Sequence, residues 1–239
     1  MTGTVAFIFA RGGSSFRGKN LRLLHGRSLL ARAINICKAV KTIDRVIVST
    51  DDEDIAEAAR AEGAEVPFRR PAELASATAP EWLAWRHAVS WIRENEGPQA
   101  LRRFIAVPAT SPLRARSDIE ACLTAYDGGG WDLVLTVRPA ERNPYFNMVE
   151  LESDGRARFV LNPDKPITHR QSAPAMYDIA GVAYVTSPDF ILEANGLFDG
   201  RTGVVIVPKE RAVDIDDEWD LVTAEAFYAR MGAPALENQ

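Results

Sequence analysis

Between residues 5 and about 137 the chain alternates short apolar runs with segments of helical spacing, and few folds accept that rhythm. Val5–Ala10, Arg45–Ser49, Phe104–Val107 and Asp132–Val137 are apolar, strand-length runs. Val66 and Phe68 predict a further short strand closed by Pro71. Between these runs lie Leu29, Leu30, Ala33, Ile34 and Cys37, and later Trp82, Leu83, Val89 and Ile92, at spacings that give one apolar helix face. Ser28 reads as the N-cap of the first helix, and Thr50-Asp51-Asp52 starts a second that Gly63 stops. Ser117-Asp118-Ile119-Glu120 has capping-box spacing and opens a helix through Tyr126. Strands apolar throughout are strands covered on both faces, and the alternation implies a mostly parallel sheet flanked by helices. From 138 to 175 the rhythm breaks. Tyr145–Leu151 and Ala157–Leu161 around Asp154-Gly155 predict a hairpin inside an insertion, the kind that forms lids or subunit contacts. Ile179–Val185 and Val204–Val207 return to strand character, and Asp217 caps a last helix, Leu221–Met231. The whole, 1–239, reads as one α/β domain.

In such folds ligands bind where strands end, so the first loop, Ala10-Arg11-Gly12-Gly13-Ser14-Ser15-Phe16-Arg17-Gly18-Lys19-Asn20, carries the most information. Three glycines let backbone N–H groups approach an anion, and Arg11, Arg17 and Lys19 supply positive charge. The dinucleotide fingerprint G-x-G-x-x-G is absent. Gly13 and Gly18-Lys19 come near a Walker A loop, but Asn20 stands where Mg²⁺ ligation needs Ser or Thr, and Gly26 interrupts the helix that should follow. With 28 basic and 33 acidic residues the net charge is −5, which disfavours a nucleic-acid partner. No apolar stretch is long enough to span a membrane and no signal peptide is evident, so a cytoplasmic location is expected. The two cysteines, Cys37 and Cys122, sit in apolar helix-like runs and read as core.

Ala10, Arg11, Ser14, Lys19 and Asn20 resemble the phosphate loop of the acylneuraminate cytidylyltransferase family, A-R-x-x-S-K-G-x-P-x-K-N, here one residue shorter and with Ser15 where the family has Lys. Val48-Ser49-Thr50-Asp51, Arg70-Pro71-Ala72-Glu73-Leu74-Ala75 with Thr78-Ala79, Thr110-Ser111-Pro112-Leu113-Arg114 and Asp214-Ile215-Asp216 resemble further family motifs in the same order. The resemblance implies a nucleotidyltransferase-type Rossmann-like fold and transfer of CMP from CTP to the anomeric hydroxyl of a nine-carbon α-keto acid sugar, with release of pyrophosphate. It implies that Arg11, Gly12, Gly13, Ser14, Lys19 and Asn20 bind the nucleotide and that Arg70 and Ala79 read its base. By the same resemblance Arg170, Gln171, Tyr177 and Tyr184 bind the sugar, and the 138–175 insertion dimerises and reaches the neighbouring subunit's site.

Asp214 and Asp216, two apart on an extended segment, face one side. On chemistry alone they are a Mg²⁺ pair or part of an acidic N-cap cluster with Asp217, Glu218 and Asp220; the resemblance favours the metal. With Arg11 and Lys19 they form the expected catalytic set. The alternative reading of Arg70 is a surface charge beside Pro71, and that of either tyrosine is core packing. Pro108-Ala109, Ala180-Gly181 and Phe146 depart from sialic acid enzymes on the sugar side, which points to another nonulosonic acid, of legionaminic or pseudaminic type. Two other readings stay open: a nucleotidyltransferase acting on a sugar 1-phosphate, and a noncatalytic nucleotide-binding protein.

Overall fold

The computed structural model describes residues 3–13, 16–161, 167 and 169–232. In chain order its elements are β1 (Thr4–Phe9), β2 (Leu23–Leu24), β3 (Arg27–Ser28), α1 (Leu29–Ala39), β4 (Arg45–Ser49), α2 (Glu53–Ala61), α3 (Glu81–Glu96) and β5 (Arg103–Ala106). They continue with α4 (Arg116–Asp127), β6 (Leu133–Pro139), β7 (Val149–Leu151), β8 (Ala157–Phe159), β9 (Tyr177–Thr186), α5 (Pro188–Glu193), β10 (Thr202–Ile206) and α6 (Glu218–Met231). Six strands form one sheet in the order β10-β6-β9-β5-β1-β4. All its pairings are parallel except those of β9, which runs antiparallel between β5 and β6.

Alternation along β1 divides the core. Ala6 and Ile8 face Leu30, Ile34, Ile55 and Ile119 on the side of α1, α2 and α4. Val5 and Phe7 face Trp85, Val89 and Ile92 of α3, with Ile191 of α5, on the other. Trp82 and Trp85 are packing residues there, and Phe7 stacks on Phe104. Cys37 and Cys122 are buried free thiols, and burial pushes both up to about 12, so neither is poised for chemistry.

The helix starts show which local signals act. Ser28 Oγ accepts from Ala31 N–H and Asp52 accepts from Ile55 N–H, as their spacing predicts. Helix α4 differs: Ala115 is its N-cap, and Asp118 reaches back to the Ala115 N–H, so Ser117 lies inside the first turn. The expected strand at Val66 and Phe68 is one bridge, Glu65 beside Ile47. Pro67 follows at once and has no N–H to extend a ladder.

The 138–175 segment does hold the hairpin. Val149 pairs with Phe159 and Leu151 with Ala157. These residues share one face, and Val149, Leu151 and Phe159 are all exposed. Glu150 and Arg158 pair at 2.6 Å on the other face.

Candidate active site

The chain leaves β1 for β4 on one side and later enters β5 on the other. The crevice between β1 and β5 is therefore a switch point, where ligands of open α/β sheets bind. A cleft of about 300 Å³ opens there, lined by Phe9, Arg11, Lys19, Asn20, Arg70, Ser76, Ala79, Glu81, Pro108, Thr110 and Asp216 among others. It gathers residues from across the sequence.

The loop after β1 is tied at both ends. Buried Asn20 donates from Nδ2 to the Arg11 carbonyl at 3.0 Å. Gly12 donates its N–H to Asp51 Oδ1 at 3.0 Å, and a Cβ on Gly12 would lie 2.5 Å from Asp52 Oδ2. That glycine serves a close approach to the acidic start of α2. Its N–H is occupied by a carboxylate. Arg11 crosses the cleft to the Ser76 carbonyl at 2.5 Å. Lys19 holds Asp216 at 2.9 Å. Ser14 lies outside the described residues.

Arg70 is no surface charge. It is 6% exposed, donates from Nε and Nη2 to Ser49 Oγ and the Ser49 carbonyl, and lies 5.5 Å over the Phe9 ring. Burial pulls its guanidinium down to about 10, against the opposing pull of Asp51 and Glu81. Ala79 lines the same wall.

The acidic crowd before α6 divides cleanly. Asp217 accepts from the N–H groups of Trp219 and Asp220, and Asp220 accepts from those of Asp216 and Asp217. Those two cap the helix. Asp214 and Asp216 flank fully buried Ile215, whose N–H is fixed to the Thr110 carbonyl, and both carboxylates project outward. Asp216 faces the cleft. Asp214 lines an adjoining cavity of about 290 Å³ with Ala180, Gly181 and Lys209. Among the described residues no group of three or more His, Cys, Asp or Glu converges on a point. Two hard carboxylate donors nevertheless have the chemistry to hold a small divalent cation.

Sequence reasoning missed Glu81, at the first turn of α3. The residue is exposed as a whole, but its carboxyl sits in the crowded cleft wall and accepts from Trp85 Nε1 at 3.3 Å. Burial raises its pKa; Trp85 and Arg70 oppose the rise, and Asp214 adds to it. Only the position of Glu81 after Ala79-Pro80 could have signalled it. A carboxyl whose folded pKa is raised stabilises the fold while protonated, and that contribution disappears as pH rises through the folded value. Glu81→Gln is therefore expected to leave the melting temperature unchanged below the ordinary pKa of 4.5 and to raise it relative to wild type at neutral pH. Melting curves of both proteins from pH 4 to 8 check this.

The sugar-side residues are dispersed. Tyr184 packs against Trp85 behind the cleft, at 5.5 Å between rings, and burial raises its phenol to about 12. Tyr177 is exposed at the far end of β9, paired with Pro139. Arg170 and Gln171 are exposed in a single turn of the insertion. None of these three lines the cleft.

The fold and the site together define a nucleotidyltransferase: a switch-point cleft lined by Arg11, Lys19 and Arg70 with the Asp216 carboxylate at its edge. The sequence pattern of the cytidylyltransferase family matches residues 5–81. The CMP-N,N'-diacetyllegionaminic acid synthase of Legionella pneumophila is 41% identical over 92% of this chain and 94% of its own. The post-translational flagellin modification protein B of Campylobacter coli is 34% identical over 94% of each chain. The chain belongs to the acylneuraminate cytidylyltransferase family. Among solved structures, a CMP:2-keto-3-deoxy-manno-octonic acid synthetase complexed with CTP shares the fold, with a TM-score of 0.69 at 17% identity over 97% of this chain and 100% of that one. Among the described residues no helix is long and apolar enough to cross a membrane.

Proposed function

We propose that this cleft binds CTP and Mg²⁺ and transfers CMP to the anomeric hydroxyl of a nonulosonic acid of the legionaminic class. The observation that carries the reading is the convergence of Arg11 and Lys19 of the loop after β1, Arg70 and Asp216 on one cleft from three distant stretches of sequence. The reaction forms a bond from the anomeric oxygen to the α-phosphorus and breaks the bond to the bridging oxygen, so pyrophosphate leaves. Positioning and charge neutralisation supply most of the acceleration in such a transfer. Lys19 and Arg11 face the triphosphate, and Arg70 with the Ala79 wall faces the base. Asp216 and Asp214 would hold the cation, which supplies Lewis-acid stabilisation of phosphate charge when bound. The 41% identity to a legionaminic acid synthase supports the acceptor class, as do Pro108-Ala109 and Ala180-Gly181 on the sugar side. Pyrophosphate release from CTP with a panel of nine-carbon α-keto acids tests it. Turnover is expected with legionaminic-type acids, and silence with the whole panel at saturating Mg²⁺ refutes it. Turnover with a sugar 1-phosphate and UTP, GTP or ATP would establish the alternative instead.

The exposed apolar face of the β7–β8 hairpin supports a homodimer built through the insertion. A site completed from the partner would also account for Arg170, Gln171 and Tyr177 lying away from this protomer's cleft. Leu151→Asp combined with Phe159→Asp is expected to give a monomer with a much raised KM for the sugar acid. Sedimentation velocity decides; a monomeric wild type rules the interface out. A cytoplasmic location goes with the proposed activity, since CTP is made and used there.

A further inference from the structure

Arg114 ends the Thr110–Arg114 turn and is 2% exposed. Its Nη2 donates to the Pro108 carbonyl and lies 3.4 Å from the Gly181 carbonyl. Its Nε and Nη1 are buried and have no partner among the described residues. Asp118, which acts on it from a distance, is engaged in a two-pronged pair with Arg211. A buried guanidinium with two unmet donors is costly to a fold, so its surroundings must be asked what satisfies it.

Arg114 lines a cavity of about 90 Å³ between α1 and this turn, with Arg27, Arg32, Asn35 and Pro112. The floor is buried and the rim, at Arg27, is exposed. Arg32 gives Nε and Nη2 to the Leu24 carbonyl and lies 4.7 Å over the Tyr228 ring, with no carboxylate partner among the described residues. Glu62 is the acid that touches the lining, through Asn35 Nδ2. Three arginines thus line a space several times what one water needs, roughly 10–15 Å³. It is too small for a nucleotide.

We propose that this cavity is a second anion site, separate from the catalytic cleft, that takes a phosphate-class oxyanion on Arg114 and Arg32 with Arg27 at the entrance. Guanidinium forks match tetrahedral oxyanions. The site reaches the chemistry through Arg114. Pro108 forms part of the cleft wall, and Gly181 belongs to the bulge where β9 slips register against β6. An anion that draws on Arg114 therefore acts on both carbonyls that the same guanidinium holds.

Calorimetric titration of inorganic phosphate in low-chloride buffer tests the proposal. One phosphate is expected to bind wild-type protein already saturated with CTP, and Lys19→Ala is expected to retain that site. Arg32→Gln should weaken phosphate at least tenfold with the KM for CTP unchanged, since losing one charged contact costs about that factor. Arg27→Gln, at the exposed rim, should weaken it several-fold and serves if Arg32→Gln fails to fold. Pyrophosphate competing with phosphate in Lys19→Ala would identify the reaction's own product as a source, and phosphate binding alone would identify the free anion. No uptake by the CTP-saturated protein overturns the site, as does binding lost in Lys19→Ala but intact in the arginine variants. Acetate binding in place of phosphate overturns the ligand class.

Discussion

Asp216→Asn is expected to lower turnover by about 10²–10³-fold while the protein stays folded, the range found when one preorganised electrostatic group is removed from an active site. The carboxylate is 76% exposed, so little packing depends on it. Its pair with Lys19 lies at a solvent-open cleft, where such pairs contribute about 1 kcal/mol or less. The melting temperature should therefore barely move. What the amide lacks is charge and donor strength toward a hard cation. The Mg²⁺ concentration for half-maximal rate should rise along with the loss of turnover. That separates a metal-holding role from a mere partner of Lys19, because Lys19→Ala should raise the KM for CTP and leave the Mg²⁺ requirement alone. Full activity of Asp216→Asn would refute the assignment of the pair.

Lys19 and Asp216 hold each other at 2.9 Å across the place where a triphosphate would lie. A cation and an anion that neutralise each other at a solvent-open cleft are groups that a more highly charged guest can separate. Under the proposed reading, binding would exchange one weak, wet ion pair for two stronger contacts, one to phosphate and one through the divalent ion.

Much of this was legible in the sequence, for physical reasons that also mark where legibility stopped. Doubly covered strands must be apolar on both faces, so β1, β4, β5 and β6 announce themselves as runs. Side-chain caps are local, so Ser28, Asp52 and Asp217 could be read from a few neighbours. At α4 two local signals competed, and Asp118, reaching back to Ala115, displaced Ser117. The strand at Val66 was promised by hydrophobicity and stopped by the missing N–H of Pro67. Residues whose meaning depends on distant partners were hidden. Nothing near Arg114 in sequence announces that it holds Pro108 and Gly181, and nothing near Glu81 announces Asp214. The roles of Asp214 to Asp220 were ambiguous for the same reason: capping and metal binding both want clustered carboxylates. Geometry separated them by spending Asp217 and Asp220 on backbone N–H groups.

Arg70→Met is expected to raise the KM for CTP roughly 10–100-fold, the equivalent of one lost charged hydrogen-bonding contact. The choice of methionine follows from the energetics of the site. Arg70 is buried deeply enough that desolvation pulls its guanidinium down to about 10, so the folded chain bears a cost for keeping a charge there. An unbranched apolar side chain removes that cost and keeps packing against Phe9. Against this stands the loss of two donors to Ser49, whose carbonyl also accepts from Ala10 N–H and so keeps a partner. The two effects oppose each other, and the change in stability should stay within about 2 kcal/mol. A charged arginine in a costly position with little return to stability is what the proposed role in binding the base predicts. Steady-state kinetics with CTP and UTP, beside melting curves, check the argument. A raised KM with lost preference for CTP supports base recognition by Arg70. An unchanged KM with a large fall in melting temperature would instead make Arg70 a brace for Ser49 at the end of β4.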